Sequence, residues 1–259
     1  MSKMRAPIII CLAIILLTAC SPSPQVIQTA IAQTQAAWSP TPTSTYSPTP
    51  RPTSTPTLTS TPTPMPTHIP VVLYSDDFSN NQSGWLQSNN AGVKYQYSGG
   101  QYVISRPKGN YMNWDCANRS FTDAVLNVDV ILVSGDASLT GPVILWRYVD
   151  TNNHYSLRLT SGNGSFVIEK KISGEWKTLY DWSSSSTIKR GNQINKITIA
   201  FGGGTSSIYI NDNYVTSIQD NSFITGDICL GASSEESSAV EVSFDNLVIY
   251  TIDSWTPPK

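Results

Sequence analysis

The stretch Val143-Ile-Leu-Trp-Arg-Tyr-Val-Asp150-Thr-Asn-Asn153-His-Tyr155-Ser-Leu-Arg-Leu-Thr160 consists of two β-branched and aromatic runs separated by four polar residues. It reads as a β-hairpin, because Asp and Asn at the centre favour a tight reversal and the flanks carry strand-forming residues. Pairing Asp150 with Asn153 sets Tyr148 opposite Tyr155, Trp146 opposite Leu157 and Ile144 opposite Leu159, a wholly apolar face. The next turn, Ser161-Gly-Asn-Gly164, places Phe166 beside Leu159 and Ile168 beside Leu157. A further turn at Ser173-Gly174 brings Leu179 beside Ile168. Four strands then share one apolar surface, as the inner face of a sandwich requires.

The same register places a different set on the other face: Arg147, Ser156, Glu169 and Thr178 in one row, with Arg158 beside Val167 and Lys171 beside Trp176. Arg147, Ser156, Arg158, Glu169 and Trp176 are therefore the candidate ligand-binding residues. An indole can stack on the apolar side of a pyranose while charged groups and hydroxyls bond its hydroxyls. The competing reading is a solvated face with cross-strand ion pairs worth about 0.2–1 kcal/mol each. A slip of one residue in either turn would exchange the two faces.

Beyond this unit, short β-branched and aromatic runs recur at residues 101–105, 124–133, 196–201, 207–210, 228–232 and 240–250, with no long segment of helical period. The pattern predicts an all-β, two-sheet antiparallel sandwich over residues 71–253, followed by a short tail at 254–259. A net charge of −2 with 13% charged residues leaves no basic stripe for a phosphate backbone, which excludes nucleic acid as a partner. Four cysteines are present. Cys116 and Cys229 fall in the sandwich, where export would make them a disulfide candidate; two separate thiols are the alternative. Only His68 and His154 exist, neither at ligand spacing, so no metal site is assigned.

Catalytic residues are not assigned either. Among the acids, Glu235, Glu236, Glu241 and Asp245 lie nearest one another in sequence. Glu241 and Asp245 share a strand face at roughly 13 Å, too far for paired carboxyls unless their side chains converge. No Gly-x-Ser-x-Gly elbow occurs, and Gly202-Gly-Gly204 lacks the lysine of a phosphate loop.

The N-terminal residues concern location. Met1-Ser-Lys-Met-Arg5, an apolar run from Ile8 to Leu17 and small residues before Cys20 make residues 1–19 an export signal, too short to span a bilayer. Residues 20–70 hold most of the prolines amid Ser and Thr and cannot form a core; they read as a disordered, extended linker. Leu17-Thr-Ala-Cys20 resembles the bacterial lipoprotein lipobox, which implies lipidation of Cys20, the membrane as a partner and a location on the outer side of the cell membrane. A monomer is expected.

Asp76-Asp-Phe-Ser79, Ser83-Gly-Trp85, Arg147-Tyr-Val-Asp150, Gly174-Glu-Trp176, Tyr209-Ile-Asn-Asp-Asn213, Gly226-Asp-Ile-Cys-Leu-Gly231 and Phe244-Asp-Asn246 run in an order that resembles the concanavalin A-like/laminin G-like jelly rolls. Within these it is most similar to the 3-keto-disaccharide hydrolase group, whose relatives include Thr/Pro-stalked bacterial lipoproteins. The resemblance implies that the last strand pairs with the one near residues 124–133, and that the concave face meets polysaccharide. Laminarinase-like members carry Glu-x-Asp-x-x-Glu, which this chain lacks. Some sandwich modules bind a structural calcium ion, for which Asp76, Asp77 and Asp245 are the candidates here; strand-end caps are the other reading. The expectation is a surface module that binds glycan or mediates adhesion. A glycoside hydrolase acting on di- or polysaccharides and a purely structural module are the alternatives.

Overall fold

The computed structural model describes residues 71–90 and 92–258. The export signal, Cys20 and the linker of residues 20–70 lie outside the described residues. The strands are β1 (Val72–Asp76), β2 (Ser88–Asn89), β3 (Lys94–Ser98), β4 (Gln101–Arg106), β5 (Tyr111–Cys116), β6 (Ala124–Gly135), β7 (Gly141–Asp150), β8 (Asn153–Thr160), β9 (Ser165–Ile172), β10 (Glu175–Ser184), β11 (Asn195–Gly202), β12 (Thr205–Ile210), β13 (Asn213–Gln219), β14 (Asp227–Ser234) and β15 (Val240–Thr251). A nine-stranded sheet runs β13-β12-β11-β6-β15-β4-β3-β2 with β1 on β15, and a six-stranded sheet runs β10-β9-β8-β7-β14-β5. The ladders in both are antiparallel, including that of β15 on β6.

The core forms where the inward residues of the two sheets meet. Ile144, Trp146, Tyr155, Leu157, Phe166, Ile168 and Leu230 from the smaller sheet face Leu126, Ile197, Ile199, Phe201, Val242 and Phe244 from the larger. Alternate positions on each strand supply them, as a two-residue period demands. Trp146 stacks on Tyr155 at 5.3 Å, and its indole N–H donates to Ser206 Oγ on the opposite sheet at 3.1 Å. The buried polar end of a large aromatic is thereby satisfied.

Two ladders depart from the hairpin reading. Asp150 pairs with Asn153, but Trp146 then faces Tyr155, where the sequence register put Tyr148. A bulge takes up the difference, with Arg147 in the left-handed region at φ +47°. The offset is two residues, so Trp146 and Ile144 keep the inward face while Arg147 and Tyr148 turn away from their expected places. A Cβ on Gly226 would lie 2.4 Å from the Arg147 carbonyl carbon, so the bulge fits only against a glycine. On the other side, Tyr180 rather than Leu179 stands opposite Ile168, and it stacks on Phe166 at 5.4 Å.

Candidate functional site

The outward face of the six-stranded sheet carries a groove of about 550 Å³, lined among others by Trp114, Arg158, Glu169, Lys171, Trp176 and Glu235. Its floor follows from the ladders. On β9, Lys171 lies opposite His154 of β8, Glu169 opposite Ser156, and Val167 opposite Arg158. On β10, Trp176 pairs with Lys171, and on β5, Trp114 pairs with Gly231 of β14. All of these are outward positions by alternation, because Tyr155, Leu157 and Ile168 point into the core.

His154 sits at the centre of an aromatic cluster. Its ring centroid is 5.5 Å from each of Trp114, Tyr148 and Trp176, and the residue is fully buried. His154 Nδ1 lies 3.1 Å from the Asp150 carbonyl, which can only accept, so in the neutral ring Nδ1 carries the proton and donates. Nε2 has no partner and is buried. Burial pushes the imidazole below the usual histidine range, with the nearby Lys171 adding to that and the Asp150 carbonyl opposing it.

Around this cluster the charges are fixed in place. Arg158 donates from Nε and Nη2 to Glu169 Oε2 at 3.1 and 2.8 Å, and its guanidinium lies 5.4 Å from the Trp182 ring. The Lys171 ammonium stands 5.6 Å from the Trp176 ring, which remains 42% exposed. Trp114 owes its position to its neighbours on β14. A Cβ on Gly231 would fall 3.0 Å from Trp114 Cβ, and two residues further along β5 a disulfide joins Cys116 to its cross-strand partner Cys229.

Three of the five residues chosen from sequence, Arg158, Glu169 and Trp176, line the groove together. Arg147 does not. It is 1% exposed, and its Nη1 donates to the Phe223 carbonyl at 2.8 Å while Nη2 donates to the Thr122 carbonyl at 3.1 Å and to Asp123 Oδ1 at 3.2 Å. The left-handed turn of the β7 bulge carries the side chain away from the outward face, and Leu145 takes the expected place opposite Ser156. Ser156 keeps its outward position but is fully buried and does not line the groove. Trp114, Met112 and Tyr111 were missed because β5 was not read as a strand. Met112, Trp114 and Cys116 alternate at a spacing of two, a pattern that ends on the cysteine and that marks one face.

The acids considered for catalysis separate. Glu241 and Asp245 belong to β15 in the nine-stranded sheet, and Glu241 Oε2 accepts from Ser105 Oγ at 2.6 Å. Of the two readings of Asp76 and Asp77, the hydrogen bonds fit the strand-end caps. Asp76 Oδ1 accepts from Phe78 N at 2.8 Å and Asp77 Oδ1 from Ser79 N at 3.0 Å, so both cap a turn. Among the described residues no three Asp, Glu, His or Cys side chains gather as a metal-holding group.

No protein-family model matches the chain, and no curated protein does. Solved structures do resemble it. The carbohydrate-binding module CBM66 from Bacillus subtilis superposes with a TM-score of 0.53 at 15% identity, covering 65% of this chain and 96% of that one. A glycoside hydrolase family 16 endo-glucanase from Bacteroides ovatus gives 0.51 at 11% identity, covering 69% and 100%. A β-glucanase from Bacillus licheniformis gives 0.51 at 10%, covering 69% and 97%. What these proteins share with the chain is the fold, a two-sheet antiparallel jelly-roll β-sandwich of the concanavalin A-like kind.

Proposed function

We propose that this chain is a lipid-anchored protein of the outer cell surface whose sandwich, residues 71–253, binds glycan without cleaving it. The export signal of residues 1–19 and the lipobox ending at Cys20 support the anchoring, and the Thr/Pro-rich residues 20–70 serve as the spacer. The observation that carries the binding reading is the groove in which Trp114 and Trp176 flank His154 beside the Arg158–Glu169 pair. Each indole is 5.5 Å from the His154 ring, so the two centres lie at most about 11 Å apart. Two platforms at that spacing suit adjoining sugar rings, and the charged and hydroxyl groups between them supply hydrogen bonds of the stronger, charge-assisted kind. The carbohydrate-binding module with the same fold lends support.

Replacing Cys20 by Ser should release the chain from the membrane and yield a soluble form for assay. On a glycan array that form should retain a defined set of sugars, and Trp176→Ala or Trp114→Ala should weaken binding by roughly ten- to a hundredfold, the 1–3 kcal/mol scale of a lost aromatic platform. Capture of no glycan, or unchanged binding in both variants, would sink the reading. One observation favours hydrolysis as a second reading: Glu169 and Glu235 line the same groove. It requires sugar release from a disaccharide or glucan that disappears in Glu169→Gln.

A further inference from the structure

The four charged side chains of the groove fall into two classes. Arg158 and Glu169 neutralise each other through two contacts to one carboxylate oxygen. Lys171 and Glu235 line the same groove, and among the described residues no opposite charge lies within ion-pair distance of either. Lys170, its neighbour in sequence, differs: its ammonium is bonded to Asp220 and Ser222 on the other side of the strand. Lys171 instead faces a ring, Trp176, and the neutral His154.

These two free charges stand at opposite ends of the groove. Lys171 pairs with His154, and four residues further along β8 Arg158 pairs with Val143, which in turn pairs with Gly231. Ser233 is two residues beyond Gly231, and Glu235 follows the end of β14. Six residues of strand amount to about 20 Å at the usual rise. The groove thus differs along its length, with a free ammonium beside the exposed indole and a free carboxylate at the far end, where the Arg106 guanidinium lies behind the lining Tyr111, 4.0 Å from its ring centroid. An isolated ammonium held at an aromatic platform has one unmet need, an anion at the edge of whatever stacks there. A free carboxylate at the other end accepts from sugar hydroxyls and repels a second anion.

We infer that the groove takes an acidic polysaccharide, one bearing carboxylate or sulfate on its pyranose rings, with the anion at Lys171 and uncharged sugar at Glu235. The inference rests on the glycan-binding reading of the same groove. Lys171 sets the preference for charge, whereas Trp176 serves any pyranose, so the two contributions separate by mutation.

The test uses the full chain in detergent micelles and two matched pairs of polymers in which charged rings are scattered among neutral ones: half-esterified polygalacturonate with its full methyl ester, and lightly sulfated dextran with dextran. In affinity gels at least one charged polymer should bind about tenfold more tightly than its uncharged twin, the scale of one charge-assisted contact. Which pair shows the difference identifies the anion as carboxylate or sulfate. The difference should vanish in Lys171→Gln, persist in Lys171→Arg and shrink as salt rises. Equal binding within both pairs, or a difference that survives Lys171→Gln, overturns the inference; Trp176-dependent binding to uncharged polymer would then still uphold the glycan reading. If no polymer binds and none is found on a glycan array, both fall together.

Discussion

A side chain at Gly231 would have nowhere to go, because a Cβ there lies 2.6 Å from the Asn113 carbonyl oxygen and 3.0 Å from Trp114 Cβ. The Asn113 contact is backbone, so the edge strand itself must move. Gly231→Ala should therefore cost about 1–3 kcal/mol, as overpacking does elsewhere, and should lower glycan affinity because Trp114 shifts with β5. Urea unfolding and the glycan assay check the two halves, and a variant with wild-type values in both would refute the account. Arg147 teaches the converse. An arginine flanked by aromatics on a strand reads as an outward cation, and at full burial its charge would be unaffordable without partners. The partners are two backbone carbonyls and Asp123, brought in from residues 122–123 and 223, which no spacing within residues 143–160 reveals.

At the level of elements, much of the smaller sheet was legible. Turn chemistry at Ser161–Gly164 and Ser173–Gly174 placed Phe166 on Leu159, Ile168 on Leu157 and Lys171 on Trp176 as they stand. Bulges were not legible, since an extra residue leaves the alternation on either side intact and announces itself only through the contacts it makes. β5 escaped notice for another reason. Tyr111-Met-Asn-Trp-Asp-Cys116 carries Asn and Asp at its inward positions, where Asp115 Oδ2 accepts from Tyr102 Oη at 2.9 Å and from Leu86 N at 2.6 Å. Polar residues there break the apolar rhythm that marks a strand. This strand forms the sheet edge and one wall of the groove, and the Cys116–Cys229 bond ties it to β14 across 113 residues of sequence. In the chain-entropy model a loop of that length is worth about 4–5 kcal/mol. Reduction with dithiothreitol should lower the melting temperature and raise amide exchange first along β5. Glycan affinity should drop in parallel, and an edge strand that stays protected after reduction would contradict this.

For the molecule as a whole, acidity acts in two separate ranges. The His154 ring is held below its unfolded value of about 6.5, chiefly by burial, so the unfolded chain takes up a proton that the folded one resists. Stability from this group is complete above that value and is lost as pH falls toward the folded one. The carboxylates respond lower down. Burial pushes Asp220 up, but hydrogen bonds from Lys170, Ser222 and Tyr155 outweigh it and hold the group below the usual range, so its stabilisation fades as pH falls below about 3.8. Asp227 and Asp245 are raised by burial, so they act above about 3.8 and in the opposite sense, adding stability as they take up protons. The urea midpoint should consequently fall between about pH 7 and pH 5.5, and His154→Phe, which keeps a ring among the three aromatics, should flatten that slope. A slope unchanged in the variant would assign it to another group. Finally, β1 is zipped to β15 in the nine-stranded sheet, whereas the groove belongs to the six-stranded one. A pull entering at Val72 and resisted by a held ligand finds no single ladder running from one to the other. The load passes between two plates, through the short covalent link from β14 to β15 and through core contacts such as the Trp146 indole bonded to Ser206, and the five-residue seam of β1 is the first joint in that line.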